Sequence, residues 1–175
     1  MQKLSTISRK HEDAIANLLR MQKDAKKLFA HECRIRNAFA SDFSKQRPME
    51  RVMSKETRYK TTGLRADLRS IDQSGFIREW EFKIDADHYV LGQILTYVAH
   101  ARKELNFRPV RGVIAAFTFS EELQMAIEVM NLNIELVFIP LWLRDAGKNP
   151  SSGTKSVSIP SIPTITPSTA SATRS

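Results

Sequence analysis

Residues 64–84 read LRADLRSIDQSGFIREWEFKI, and this stretch decides the fold. It holds two runs of strand-forming residues, about 64–71 and 76–84, separated by the turn signal Gln73-Ser74-Gly75. Strand side chains alternate between faces. In the second run Trp80, Phe82 and Ile84 therefore point one way, into a core, and Glu79, Glu81 and Lys83 point the other way. Arg65, Asp67 and Arg69 share one face of the first run. If the two strands are neighbours, Asp67 and Glu81 converge with Lys83 beside them. Charges alternating along a strand ordinarily form a solvated sheet face with cross-strand ion pairs, so the pattern alone is a weak signal of chemistry.

Working outward, the elements on either side complete an α/β pattern. Upstream, residues 9–30 read as an amphipathic helix, with Ile15, Leu18, Leu19, Ala25, Leu28 and Phe29 recurring at helical spacing. Arg20, Lys23, Lys26 and Lys27 take the other positions. Residues 31–43 either continue helically, through Ile35, Ala38, Phe39 and Phe43, or include a strand over 31–37, and Pro48 ends the helical region. A weak strand lies around Val52–Tyr59. Downstream, residues 88–106 predict a helix with Asp87 as N-cap and Leu91, Ile94 or Leu95, Val98, Ala101 and Leu105 as its core stripe. A buried strand follows over 111–118, a helix over 121–131 capped by Ser120, and a last strand over 134–139 closed by Pro140. The order α-β-β-β-α-β-α-β predicts a central mixed sheet flanked by helices. The early strands pair antiparallel through short turns, and the late strand–helix–strand unit forms a parallel crossover. Leu141-Trp142-Leu143 either covers the core or forms a docking surface.

The 175 residues suit one domain, with a basic helical region over 1–47 and a core over 48–145. From 146 the composition changes. Residues 147–175 hold 13 Ser/Thr and four prolines, and a segment of that kind is expected to be disordered. No apolar run spans a bilayer and no secretory signal is evident at the start, so no membrane association and a cytoplasmic location are expected. Cys33 is the only cysteine, which excludes an internal disulfide and a cysteine-rich zinc site. The net charge of +8 is carried by residues 1–60, with 15 Lys/Arg against 7 Asp/Glu. Such asymmetry suits a polyanion, although a solvated helix surface has the same composition.

Two carboxylates converging in one place repel each other unless a cation sits between them. Hard oxygen ligands suit Mg²⁺ or Mn²⁺, with waters and a substrate phosphate completing the shell. Lys83 would orient or deprotonate the attacking water, or stabilise charge developing on the phosphate. In the following helix Gln93 and Tyr97 lie four residues apart and so on one side, with His100 and Glu104 extending a polar stripe.

Asp67 followed by Glu81-Phe-Lys83 resembles the signature of the PD-(D/E)XK nuclease superfamily, and Gln93 to Tyr97 resembles the Gln-x-x-x-Tyr motif of its RecB-like branch. The similarity covers about residues 50–140, with Ala66 where the name of the motif has proline. The resemblance implies a restriction endonuclease-like core and a metal-dependent DNA nuclease, an endonuclease or nickase. It implies Asp67 and Glu81 as metal ligands, the Phe82 carbonyl as a further ligand, and Lys83 as the catalytic lysine. It also implies roles for Gln93 and Tyr97 in organising the site and contacting DNA, and it admits a homodimer. An additional acid from the first helix, Glu12 or Glu32, is implied, with Glu56 or Glu79 as auxiliary acids. Arg65 and Arg69 either contact phosphate or pair with Glu79 or Glu81, and Lys23, Lys26 and Lys27 are candidates for DNA contact. The alternative reading is a non-cleaving nucleic-acid-binding module or a docking subunit with the same fold.

Overall fold

The computed structural model describes residues 2–60 and 62–146, with side chains described over 13–60 and 62–145. The tail over 147–175 lies outside the described residues.

The hairpin at the centre is fixed by its turn. Asp72 Oδ1 accepts hydrogen bonds from the Ser74 backbone N–H, the Ser74 hydroxyl and the Phe76 N–H. Gly75 sits at φ 84°, a conformation that favours glycine. This turn sets β2 (Arg65–Asp72) against β3 (Ile77–Phe82), with Leu68 opposite Trp80 and Arg69 opposite Glu79. The strand β1 (Glu50–Arg58) pairs antiparallel with β2 on its other side. The chain then passes through a short β4 (Asp85–Ala86) and α3 (Tyr89–Glu104) to β5 (Val110–Ala116), which pairs parallel with β3. A second crossover runs through β6 (Thr118–Phe119) and α4 (Glu121–Val129) to β7 (Ile134–Phe138), parallel with β5. The sheet order is β1-β2-β3-β5-β7, with β4 and β6 forming a separate two-stranded ribbon that periodicity did not reveal. The α-β-β-β-α-β-α-β frame and the mixed sheet are as expected.

Both faces of the sheet are covered. On one face, Ile94, Tyr97 and Ala101 of α3 and Leu123 of α4 pack with Ile77, Val110 and Ile114. On the other, Ile35 and Phe39 pack with Leu68, Trp80, Phe82 and Val113. Ile35 and Phe39 belong to α1 (Gln2–Ser41), and Phe43, from the short α2 (Phe43–Gln46), joins them. Leu143 of α5 (Leu143–Ala146) closes this layer, while Leu141 and Trp142 stay exposed.

Of the two readings left open for residues 31–37 the helical one holds, since α1 is one continuous helix of 40 residues that no strand interrupts. The apolar stripe Ile15, Leu18, Leu19, Leu28 and Phe29 of this helix is exposed. Among the described side chains of α1, only those of its last turns are buried against the sheet. His88 stands at the N-cap position of α3 in helical geometry and makes no side-chain cap, while the expected Asp87 carboxylate accepts the Tyr89 N–H and so caps the first turn. Within α3 the buried stripe is Val90, Ile94, Tyr97 and Ala101, and Leu95 is exposed.

The closeness of α3 to β5 depends on Gly112. A Cβ placed there would meet Ile94 Cγ1 at 2.7 Å and Val98 Cγ2 at 3.3 Å, both in the packed layer. Gly112→Ala must therefore displace α3 or force unfavourable rotamers. It is expected to lower unfolding free energy by roughly 1–3 kcal/mol, read as a lower urea midpoint at unchanged m-value.

Candidate active site

The site forms where the hairpin ladder stops. One register step beyond Leu68 and Trp80 brings Asp67 beside Glu81. At this point a side chain takes over from the backbone: the Phe82 N–H donates to Asp67 Oδ2 at 2.9 Å. The other Asp67 oxygen accepts from the Arg36 guanidinium at 3.1 Å. Arg36 comes from α1, is only 3% exposed, and also pairs with Glu56 at 2.9 Å. Glu56 pairs in turn with Arg65 at 3.1 Å and takes the left-handed conformation, φ 53°, which is uncommon for a residue with a side chain. The residue at the site that the sequence concealed is thus Arg36. A lone arginine on a basic helix reads as solvated surface, and only its position one residue after Ile35 and three before Phe39 hints at burial.

Lys83 follows β3 directly. Its ammonium donates to Glu81 Oε1 at 2.6 Å and lies 3.9 Å from Glu32 Oε2. Glu32 is therefore an acid that α1 brings to the site. The side chain of Glu12 falls outside the described residues. Burial drives the Glu81 carboxyl above its ordinary pKa, and the neighbouring Asp67 charge adds to this while Lys83 opposes it. Burial also raises Glu32, again opposed by Lys83. For Lys83 burial would favour the neutral amine, but Glu81, Glu32 and Asp67 together hold the ammonium above its usual range. In this arrangement Lys83 is a cation, which suits charge stabilisation and orientation better than deprotonation of water.

From α3, the Gln93 side-chain amide donates to the Tyr97 hydroxyl at 2.7 Å. Both side chains line one cleft with Asp67, Glu81, Lys83 and Glu32. Tyr97 is buried, so the polar stripe expected on α3 is in fact part of its packed face at this position. His100, further along, stacks on Tyr59 at 5.3 Å, and Glu104 accepts the Lys60 N–H.

Other expected residues are placed elsewhere. Arg69 pairs with Glu79 inside the sheet layer, so of its two anticipated roles the ion pair is the one realised, and it is not available to phosphate. Glu79 is fully buried and does not line the cleft. Arg65 lines the cleft edge while pairing with Glu56. Lys23, Lys26 and Lys27 are exposed along the free part of α1, where Lys27 is 3.8 Å from Asp24, and none lines the cleft. Phe82 has its ring in the core, with its backbone at the site.

Among the described residues no three His, Cys, Asp or Glu side chains form a ligand cluster by themselves. Asp67 and Glu81 form a two-carboxylate set with Glu32 nearby. That donor set fits Mg²⁺ or Mn²⁺, which are held by one or two carboxylates while retaining water, better than an ion demanding a full protein cage. The fit has a structural cost, since each carboxylate already has a side-chain cation bound to it.

No family model matches the chain, and no curated protein matches it by sequence. Among solved structures it is similar to a repair endonuclease from Pyrococcus abyssi, with a TM-score of 0.48 and 22% identity over 59% of this chain and 47% of that one. It is similar also to EndoMS in a complex with dsDNA, with a TM-score of 0.47 and 21% identity over 59% of this chain and 45% of that one. For EndoMS in apo form the TM-score is 0.44 at 21% identity, over 59% of this chain and 46% of that one. The chain spans a little under half the length of these structures.

The buried Glu79 generates a prediction for pH. Burial pushes its pKa up to about 7, with Arg69 opposing, so the folded state binds this proton more tightly than the unfolded chain. A raised carboxyl pKa contributes stability below the unfolded pKa and loses it as pH rises towards the folded value. Between about pH 4.5 and 7 this group is expected to withdraw at most about 3 kcal/mol. Urea titrations across that window should show the wild type losing stability more steeply than Glu79→Gln.

Proposed function

We propose that this chain is a metal-dependent DNA nuclease, an endonuclease or nickase, that hydrolyses phosphodiester bonds at Asp67, Glu81 and Lys83. The observation that carries the reading is the convergence of Asp67 and Glu81 beside Lys83 in an open cleft. Burial and mutual repulsion leave Glu81 poorly stabilised as an anion, which is the condition a cation relieves. Asp67, Glu81 and the Phe82 carbonyl would hold Mg²⁺ or Mn²⁺. Such an ion, when bound, polarises a phosphate oxygen and lowers the pKa of a coordinated water.

The protein's own groups then divide the work. Asp67 is oriented by the Phe82 N–H and Arg36. Lys83, held as a cation between Glu81 and Glu32, is placed to neutralise charge growing on the phosphate. Gln93 and Tyr97, bonded to each other on the cleft wall, offer an amide and a hydroxyl to the substrate. Lys23, Lys26 and Lys27, on the free length of α1, supply positive charge for a passing phosphate backbone. The same exposed length, through Ile15, Leu18 and Leu19, is where a homodimer would find a contact.

A second reading has an observation in its favour. Arg36 and Lys83 neutralise both carboxylates from within the chain, so the site is self-consistent as a binding module that does not cleave.

A supercoiled-plasmid assay separates the two. Wild type in Mg²⁺ or Mn²⁺ is expected to nick or linearise the plasmid and to stop on adding EDTA. Lys83→Ala and Glu81→Ala, checked for folding by circular dichroism, should each lose about 100-fold or more in rate. Cleavage that survives EDTA, or that persists undiminished in Lys83→Ala, contradicts the assignment. Binding without cleavage on plasmid, branched and single-stranded DNA favours the second reading.

A further inference from the structure

The cleft over the site has a volume of about 350 Å³. Its polar floor is accounted for by the acids, Lys83 and the Gln93–Tyr97 pair, but part of its wall is apolar. Phe29, from α1, lines it and is 53% exposed. Leu64, from the segment leading into β2, lines it too and is 42% exposed. Phe29 lies one helical turn before Glu32, so its position is tied to the turn that brings an acid to Lys83. Neither side chain has a part in holding a cation or turning over a phosphate. Two large apolar groups left in water beside a charged centre each forgo the free energy of burial.

A nucleic acid offers apolar surface on the faces of its bases. In a stacked duplex those faces are covered by their neighbours, and a protein at the backbone meets sugar and phosphate. A base that has left the stack exposes both faces, and stacking on an aromatic ring is a recurrent way to hold it. A volume of about 350 Å³ is enough to take a single base. We propose, resting on the nuclease reading of this same site, that its substrate is DNA with an unpaired nucleotide beside the scissile phosphate. The base of that nucleotide seats on the Phe29 ring, with Leu64 extending the apolar wall. Frayed ends, mismatches, flaps and single strands share this chemistry, and intact duplex lacks it. Phe29 is then a specificity-determining residue: it selects the substrate and does not act on the phosphate.

Binding, measured apart from cleavage, tests this directly. The full chain is titrated, in Ca²⁺, with short DNA probes carrying 2-aminopurine either unpaired or paired in a duplex of the same sequence. Fluorescence quenching reports stacking and anisotropy reports affinity. Wild type is expected to prefer the unpaired probe by about tenfold and to quench it. In Phe29→Ala that ratio should collapse towards one and the quenching should vanish, while Phe29→Tyr, which keeps a ring, should retain both. Because Phe29 is exposed, these variants are expected to fold as wild type does. Equal affinity of wild type for the two probes, binding to neither, or an unchanged ratio in Phe29→Ala overturns the proposal. A wild-type preference for the unpaired probe that is lost in Phe29→Ala, together with an inert plasmid assay, would retire the catalytic reading and leave the base-binding site standing.

Discussion

The tie on which the site depends is the Asp67 carboxylate, which accepts the Phe82 N–H with one oxygen and the Arg36 guanidinium with the other. A single side chain thereby joins β2, β3 and α1. At the Phe82 N–H it stands in for the backbone acceptor that the ladder no longer supplies, so the strands separate without leaving that donor buried and unpaired. Through Arg36 it fixes how α1 crosses the sheet end, and α1 in turn delivers Glu32 to Lys83 and Phe29 to the cleft. Ile35 and Phe39, packed on Trp80 and Phe82, hold the same helix from the apolar side.

Charge in this region is balanced internally. Arg36 faces Asp67 and Glu56, Lys83 faces Glu81 and Glu32, and deeper in the sheet Arg69 faces Glu79. Burying charges is costly unless they are paired, and pairing one at a time with specific partners keeps each carboxylate in a defined place. An incoming cation would therefore exchange with existing partners and would not fill an empty hole. Glu81 is the weak point of the balance, since burial and Asp67 both work against its ionised form.

The hairpin was legible because two strong local rules agree there. Period-two alternation assigns the faces, and the Asp72–Gly75 turn fixes the register that aligns Asp67 with Glu81. What sequence reading lost was mostly a matter of reach. Periodicity in α1 correctly finds an apolar side at Ile15, Leu18 and Leu28, but it carries no information on whether the core extends that far, and it does not. The same limit hid Arg36, whose burial follows from packing across the sheet end, not from its neighbours in the chain. Glu12 and Glu32 were equivalent on paper because both lie on one helix; the crossing of that helix over β3 places Glu32 beside Lys83. Arg69 and Glu79 stand directly opposite in the register, so their pairing follows from the hairpin, while their burial follows from α3 covering that face.

The proposed sharing of a divalent cation by Asp67 and Glu81 is measured without recourse to activity by anomalous scattering from crystals grown with Mn²⁺. A peak is expected within about 2.2 Å of an oxygen of Asp67 and of Glu81, accompanied by movement of Arg36 or Lys83 away from its carboxylate. Mn²⁺ found only elsewhere, or no Mn²⁺ with both ion pairs intact, would contradict it.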